Sequence, residues 1–312
     1  MKAKLLTCLS ALAMVSSVSS TARPLPPPQT SEELVPVSMV VTVEAKRGKE
    51  VPVVNKEDVR VMQGHNRLQV TEWFPAQGEH AALEVLVLID EAASSGVANQ
   101  FDDLRKFMSA QPNTTAIAVG YSEYGSLRMA QDFTTDHAAA GKALRIPLGA
   151  FGGESSPYLA VTDAIKRWHD TKARRAILMI SDGEDPLQPG ITDTYLDDAI
   201  QTAQRTGVQV SAIFVSGAGH FGHSFWRINH GQDDLSQLTD KTGGESYFQG
   251  FSTPVSFSPF LDEFADRLGH QYLLTFTIKP EKKLSYQHVR LETEVPNAEL
   301  VGADQVYVPA AK

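Results

Sequence analysis

Three observations predict an α/β fold built on a doubly wound, mostly parallel sheet with helices on both faces. Val85-Leu86-Val87-Leu88-Ile89-Asp90 is a short, continuous apolar run, the mark of a strand buried on both sides, and it ends in a carboxylate. Ala176-Ile177-Leu178-Met179-Ile180-Ser181-Asp182-Gly183 repeats the pattern and delivers a second aspartate to a glycine turn. Between residues 80 and 270 strand-like and helix-like segments alternate, an order that calls for parallel strands joined by helical crossovers.

Taken in order, residues 1–22 read as a secretory signal, with Lys2 and Lys4 ahead of an apolar run and Ser20-Thr21-Ala22 at the cleavage point. The protein is therefore expected to be secreted or periplasmic. Cys8, the only cysteine, falls inside that signal, so the remainder must rely on its core and not on disulfides. Residues 23–35 are a proline-rich linker, extended by composition. Residues 36–78 hold strands at 37–44, 59–62 and 68–74 without a helix, and residues 271–310 hold more at 271–278, 286–294 and 305–308. Neither set is stable alone, so the two chain ends are expected to pair into a small all-β, sandwich-like domain with residues 80–270 inserted in it.

Inside the insert the predicted elements are strand 84–89, helix 97–109, strands 114–119 and 126–133, helices 136–144 and 158–168, and strand 176–180. Helix 193–205, strand 208–215, helix 233–242, strand 245–248 and helix 258–268 follow. The strands at 114–119 and 126–133, joined by a short turn, predict one antiparallel edge strand. No stretch after the signal approaches the roughly 18 apolar residues of a spanning helix, so no transmembrane segment is expected in the mature chain. A formal charge of -9 argues against nucleic acid as a partner.

Ligands of open α/β sheets sit beyond the carboxyl ends of the strands, where strand order reverses. Asp90 and Asp182 are both delivered there, so they are expected to share one crevice. With nearby hydroxyls they would make the oxygen cluster that magnesium or manganese prefers. Alternatively, each aspartate caps its own turn.

On these residues and this architecture, about residues 35–310 resemble a von Willebrand factor A-type domain, of the secreted bacterial kind that carries a diverged version between flanking β segments. The family's metal-ion-dependent adhesion site joins an Asp-x-Ser-x-Ser strand motif to a threonine on a second loop and an aspartate on a third. The resemblance implies Asp90, Ser94 and Asp182 as metal ligands here. The first serine position holds Ala92, which supplies no oxygen, so water or Glu91 would have to take its place. The second loop, Gly152-Gly153-Glu154-Ser155-Ser156-Pro157, has no threonine, which leaves Ser155 or Ser156 as the replacement. Glu184 and Asp185 offer another way to recruit a cation. The resemblance also covers the helix ending at Gly243, a left-handed cap.

Beyond residue 215 the chain reads as an irregular aromatic loop, in which Phe221, Phe225, Trp226 and Arg227 have the composition of interface anchors for a protein partner. The glycines at 217, 219 and 222 follow a strand but do not open into a helix in a first βα unit, so no dinucleotide is expected. His220, His223 and His230 have no spacing of a closed zinc site. No catalytic or cofactor-binding residue is assigned. The function expected is a non-enzymatic protein-binding or adhesion module that uses this loop face, with the missing oxygens weighing against metal dependence. Two alternatives are a scaffolding module with a degenerate metal site and a serine or metal-assisted hydrolase built on Ser94, Asp182 and a loop histidine. The hydrolase lacks a Gly-x-Ser-x-Gly elbow.

Overall fold

The computed structural model describes residues 34–46, 50–149, 155–188, 192–218 and 224–310. The predicted signal and nearly all of the predicted linker lie outside them. From the amino end the elements are β1 (Val35–Ala45), β2 (Val59–Gln63), β3 (Asn66–Pro75), β4 (Leu83–Asp90), α1 (Phe101–Ala110), β5 (Thr115–Glu123) and β6 (Ser126–Thr134). Next come α2 (His137–Lys142), α3 (Pro157–Arg167), β7 (Arg174–Ser181), α4 (Thr194–Thr206), β8 (Val208–Phe214), α5 (Phe225–Thr242), β9 (Ser246–Tyr247) and α6 (Ser258–Gly269). The chain closes with β10 (Gln271–Ile278), β11 (Ser285–His288), β12 (Arg290–Thr293), β13 (Ala298–Val301) and β14 (Gln305–Val308).

The central sheet has the order β6-β5-β4-β7-β8-β9, parallel except for the β5–β6 pair at one edge. Every residue of β4 is buried, because alternate side chains serve two cores. Val85, Val87 and Ile89 pack with residues of α1 and α6. Leu86 and Leu88 pack with residues of α3, α4 and α5. Burial on both faces explains why the strand reads as an unbroken apolar run and not as an alternating one.

Strands from the two chain ends pair as one antiparallel sheet of order β12-β2-β3-β10-β1-β13, and β11 and β14 form a separate two-stranded ribbon. Val306 and Val308 of the ribbon join Val41, Phe276 and Trp73 in one core. Residues 286–294 do not form the single strand expected. β11 and β12 belong to different sheets, and the chain changes sheet at buried Val289, whose amide donates to the Asp304 carbonyl at 3.0 Å. β13 was not foreseen. It is four residues long and follows Asn297, held at φ 63°.

Helix α5 starts at Phe225, eight residues before the predicted start. The aromatic residues suggested a loop, yet the segment is helical, and its Gly231 has a packing reason. A Cβ there would sit 2.0 Å from the Asp182 carbonyl oxygen, and one on Gly183 would sit 2.2 Å from the Gly231 carbonyl oxygen. The two glycines let α5 lie with its backbone against the turn after β7.

The β unit is fastened beneath the parallel sheet. Arg267 of α6 is buried and pairs with Glu44 of β1, lies 3.3 Å from Glu245, and donates to the Gly244 carbonyl at 3.2 Å. A Cβ on Gly243 would come within 2.8 Å of Gly302, so these backbones also touch.

Candidate functional site at the carboxyl ends of the parallel strands

β4 and β7 are neighbours at the point where strand order reverses, so Asp90 and the Ser181-Asp182 turn meet as expected. The register then adds hydroxyls on both sides. Asp90 lies opposite Ser122 of β5, and Ser181 stands one residue beyond the Ile89–Ile180 pair. The Ser122 hydroxyl donates to Asp90 Oδ1 at 2.7 Å, the Ser181 hydroxyl donates to Oδ2 at 2.7 Å, and the Ala92 amide donates to Oδ1 at 3.0 Å. Ser155, at the entry to α3, donates its hydroxyl to Ser122 Oγ at 2.9 Å. Asp90 is thus the hub of a buried network of neutral donors. Burial pushes its carboxyl pKa up, and the bonds from Ser181, Ala92 and Ser122 pull it back.

Asp182 keeps some surface exposure, but its carboxyl lies deep. Burial, and then the charge of Asp90, raises it well above the ordinary range, and the Glu184 amide donating to Oδ1 at 3.1 Å opposes the rise. Ser94 does not join this pair. Its hydroxyl accepts the Gly96 amide at 3.4 Å as the cap of a short 3-10 turn. Its own amide donates to the Ser216 carbonyl at 2.9 Å, and the Ala218 amide donates to the Ala92 carbonyl at 2.9 Å. The loop after β4 is thereby zipped to the loop after β8. Ser156 caps α3, accepts the Leu159 amide at 3.2 Å and donates its hydroxyl to Asp185.

Glu91 cannot replace the missing serine oxygen, because alternation sends it to the opposite face of the sheet. There it is fully buried, pairs with Arg145, and accepts the Leu148 amide at 2.6 Å. The Arg145 guanidinium also stacks 3.9 Å from the centroid of the Tyr121 ring. Glu91 therefore fixes the segment that leads toward residue 149, whose amide donates to the Glu91 carbonyl at 2.9 Å.

Magnesium needs near-octahedral oxygen donors free to turn toward it. Here Ala92 offers none, Ser94 and Ser156 each accept an amide as helix caps, and both Asp90 oxygens are already engaged by Ser122, Ser181 and the Ala92 amide. The described residues do not fit the metal that the resemblance implies. Nor do they assemble a triad: the hydrogen bonds of Ser94 and Asp182 named above reach backbone amides, and neither is to a histidine.

Behind the Asp182 turn lies a second group of charges that the sequence did not join. His230 Nδ1 is 3.1 Å from Asp234 Oδ2 and 3.8 Å from Glu184 Oε1, and Arg227 is 4.0 Å from Glu184 Oε2. Burial pushes the Asp234 carboxyl up to about 7 while His230 draws it down. Buried Tyr158 donates its hydroxyl to the Gly183 carbonyl at 2.6 Å and holds the turn from below. Among the described residues, no three His, Cys, Asp or Glu side chains are arranged to hold a metal ion. His220 and His223 fall outside the described residues.

The expected interface anchors are on the first turn of α5 and not on a loop. Phe225 and Trp226 are 66% and 61% exposed. Phe225 meets Phe251 edge-to-face at 5.0 Å, and Trp226 lies 5.3 Å from the His230 ring. Phe221 is outside the described residues. Phe248 and Phe251, which sequence reasoning passed over, are exposed beyond β9. Ser122 was also missed, because the strand prediction stopped at 119; following Gly120-Tyr121-Ser122 to the level of Asp90 would have found it.

With a single antiparallel edge and both aspartates at the switch point, the central sheet has the arrangement expected of the family named above. The sheet order is like that of a von Willebrand factor A-type fold. No family model matches the sequence, and no curated protein matches it. The solved structures to which it is similar include a von Willebrand factor type A protein from Catenulispora acidiphila, at 12% identity and TM-score 0.38, over 90% of this chain and 75% of that one. Another is the ArnB paralog VWA2 from Sulfolobus acidocaldarius, at 11% and 0.40, over 88% and 76%. A third is an aerotolerance-related membrane protein from Bacteroides fragilis, at 14% and 0.44, over 60% and 98%. These are likenesses of low score, and nothing about the site is carried over from them.

Proposed function

We propose that this chain is a non-enzymatic protein-binding module, secreted and adhesive, that engages its partner through the face at the carboxyl ends of the parallel strands and does so without a metal ion. One observation carries the reading. Of the thirteen large apolar side chains exposed among the described residues, seven lie in the segments that follow those strand ends, including Phe225, Trp226, Phe248 and Phe251, and Ile146 and Leu148 lie in the segment that Glu91 holds beside them. Apolar surface gathered on one face marks a contact site, and exposed tryptophan is the residue type that dominates binding energy. The hydroxyl network around Asp90 supports the metal-free form, since neutral donors already do there what a cation would do.

The test is capture of envelope and secreted proteins on the immobilised chain, with and without chelator. A partner retained equally in chelator, and weakened about thirtyfold by Trp226→Ala with Phe225→Ala, is the expected result. Retention that needs a divalent ion would replace this reading with metal-linked adhesion. Retention untouched by the double substitution would move the contact to another face. The same double substitution should leave the melting temperature unchanged, since both rings are largely exposed.

A further inference from the structure

The opposite end of the parallel sheet carries a different surface. Where the β unit meets the amino ends of the strands there is a cleft of about 430 Å³, within the range of small-molecule sites. Its walls bring together Lys172, Arg174 and Arg175 at the start of β7, with Phe74 and His80 across the opening and a single carboxylate, Glu72.

Arg174 is the decisive residue. It is 8% exposed, and among the described residues no carboxylate lies within ion-pair distance of it, of Lys172 or of Arg175. Its guanidinium donates to the Leu268 carbonyl at 3.0 Å, to the Ala81 carbonyl at 3.4 Å and to the Gln271 side chain. Its Nε is buried with no hydrogen-bond partner. A buried cation held only by dipoles, with one donor unspent, costs free energy that an anion would recover. Arg175 donates to the Thr206 carbonyl, and Lys172 is exposed at the mouth. Burial lowers the Arg174 pKa to about 10, and no carboxylate offsets that fall; at Arg175 burial also lowers the pKa, and Glu84 and Asp170 oppose it. The one acid in the cleft, Glu72, accepts the Thr275 hydroxyl at 3.0 Å.

The rest of the wall selects among anions. Phe74 is 44% exposed and stacks on His80 at 5.3 Å, and Leu273 and Val40, its successive cross-strand neighbours, continue an apolar strip beside it. An inorganic ion would leave this strip wet. A carboxylate on an aromatic or aliphatic body would place its charge against the arginines and its body along the strip.

We propose that this cleft is a binding site for a small organic anion, a carboxylate carried on an apolar body. It lies at the other end of the molecule from the partner-binding face and stands or falls independently of it.

Benzoate is the probe, titrated calorimetrically into the full chain, with inorganic phosphate and sodium chloride at matched ionic strength as controls. Saturable benzoate binding is expected, with a rise in melting temperature. Lys172→Gln should weaken it about fivefold or more, and Glu72→Gln should strengthen it up to about fivefold, since exposed charge pairs are worth up to roughly 1 kcal/mol. Both residues are exposed, so the variants should fold normally. Phe74→Ala should weaken benzoate while leaving any phosphate binding unchanged. No saturable signal up to about 10 mM benzoate would overturn the proposal. So would binding that chloride matches at equal ionic strength, or binding indifferent to both Lys172→Gln and Glu72→Gln. Phosphate binding as tightly as benzoate would overturn the apolar half.

Discussion

The two ends of the parallel sheet both bury charge, of opposite sign, and both hold it with neutral dipoles. At the carboxyl end Asp90 is satisfied by two hydroxyls and an amide. At the amino end two carbonyls and the Gln271 amide oxygen accept from Arg174, and its Nε is left without a partner. What differs is the roof. Loops of the same domain cover Asp90, whereas Arg174 lies under β10 of the other unit, within reach of Gln271, which in turn binds Gln209 of β8. The contrast teaches that a fixed set of dipoles can hold a buried charge in place without neutralising it. The sign left over then decides what a visitor must bring.

Three measurements would break or sharpen that contrast, beginning with the largest effect. Gly231→Ala should collapse the carboxyl end, since the new Cβ falls 2.0 Å from a backbone oxygen that cannot retreat without moving the Asp182 turn. A loss of about 3 kcal/mol or more is expected in urea unfolding. Gly269→Ala, at the other end and with open space around it, should stay within about 0.5 kcal/mol. Equal costs at the two positions would mean that α5 is not held by backbone contact.

Asp90→Ala comes next and should cost about 2 kcal/mol, because the Ser122 and Ser181 hydroxyls and the Ala92 amide lose their acceptor in a buried place. Asp90→Asn keeps an acceptor oxygen and should cost less. If the two substitutions are equally damaging, Asp90 is not the hub described.

The smallest effect is a pH slope. The folded pKa of Asp234 is raised from 3.8 to about 7, so between those values the native state holds a proton that the unfolded state has lost. The stability this contributes is fully present below about pH 4 and is lost as pH rises to about 7. Asp234→Asn should remove that dependence, shrinking the difference between pH 4 and pH 7 by about 1 kcal/mol after allowance for solvent access. A variant with the parental slope would show that His230 already compensates the charge.

The parallel sheet was legible because β4 and β7 are buried on both faces and their side chains announce it. Asp90 and Asp182 were legible for the same reason, as polar residues ending apolar runs. What could not be read was where each hydroxyl points. Ser94 and Ser155 look alike as residues, but one caps its own turn and the other reaches Ser122, a distinction made by register and loop path. The aromatic start of α5 reads as a loop in the sequence, and nothing local marks Gly231 as a packing contact. Its reason for being glycine is a turn 48 residues earlier in the chain, at Gly183. The junction escaped entirely, since nothing local to Arg174 or Gln271 says that they meet.

Helix α3 hangs from β4 at both ends. At its entry Ser155 reaches Asp90 through Ser122, and just past its exit the Trp168 indole donates to Glu84 at 2.6 Å. The helix spans about 16 Å, so an indole at one end of the sheet is tied to the carboxylate at the other. The consequence is optical. The chain has three tryptophans: Trp73 is buried and stacked on Tyr272, Trp226 is largely exposed, and Trp168 lies at the foot of α3. Replacing Trp73 and Trp226 with phenylalanine would leave an emission spectrum that reports on the Trp168–Glu84 contact at the foot of α3, with no dye attached.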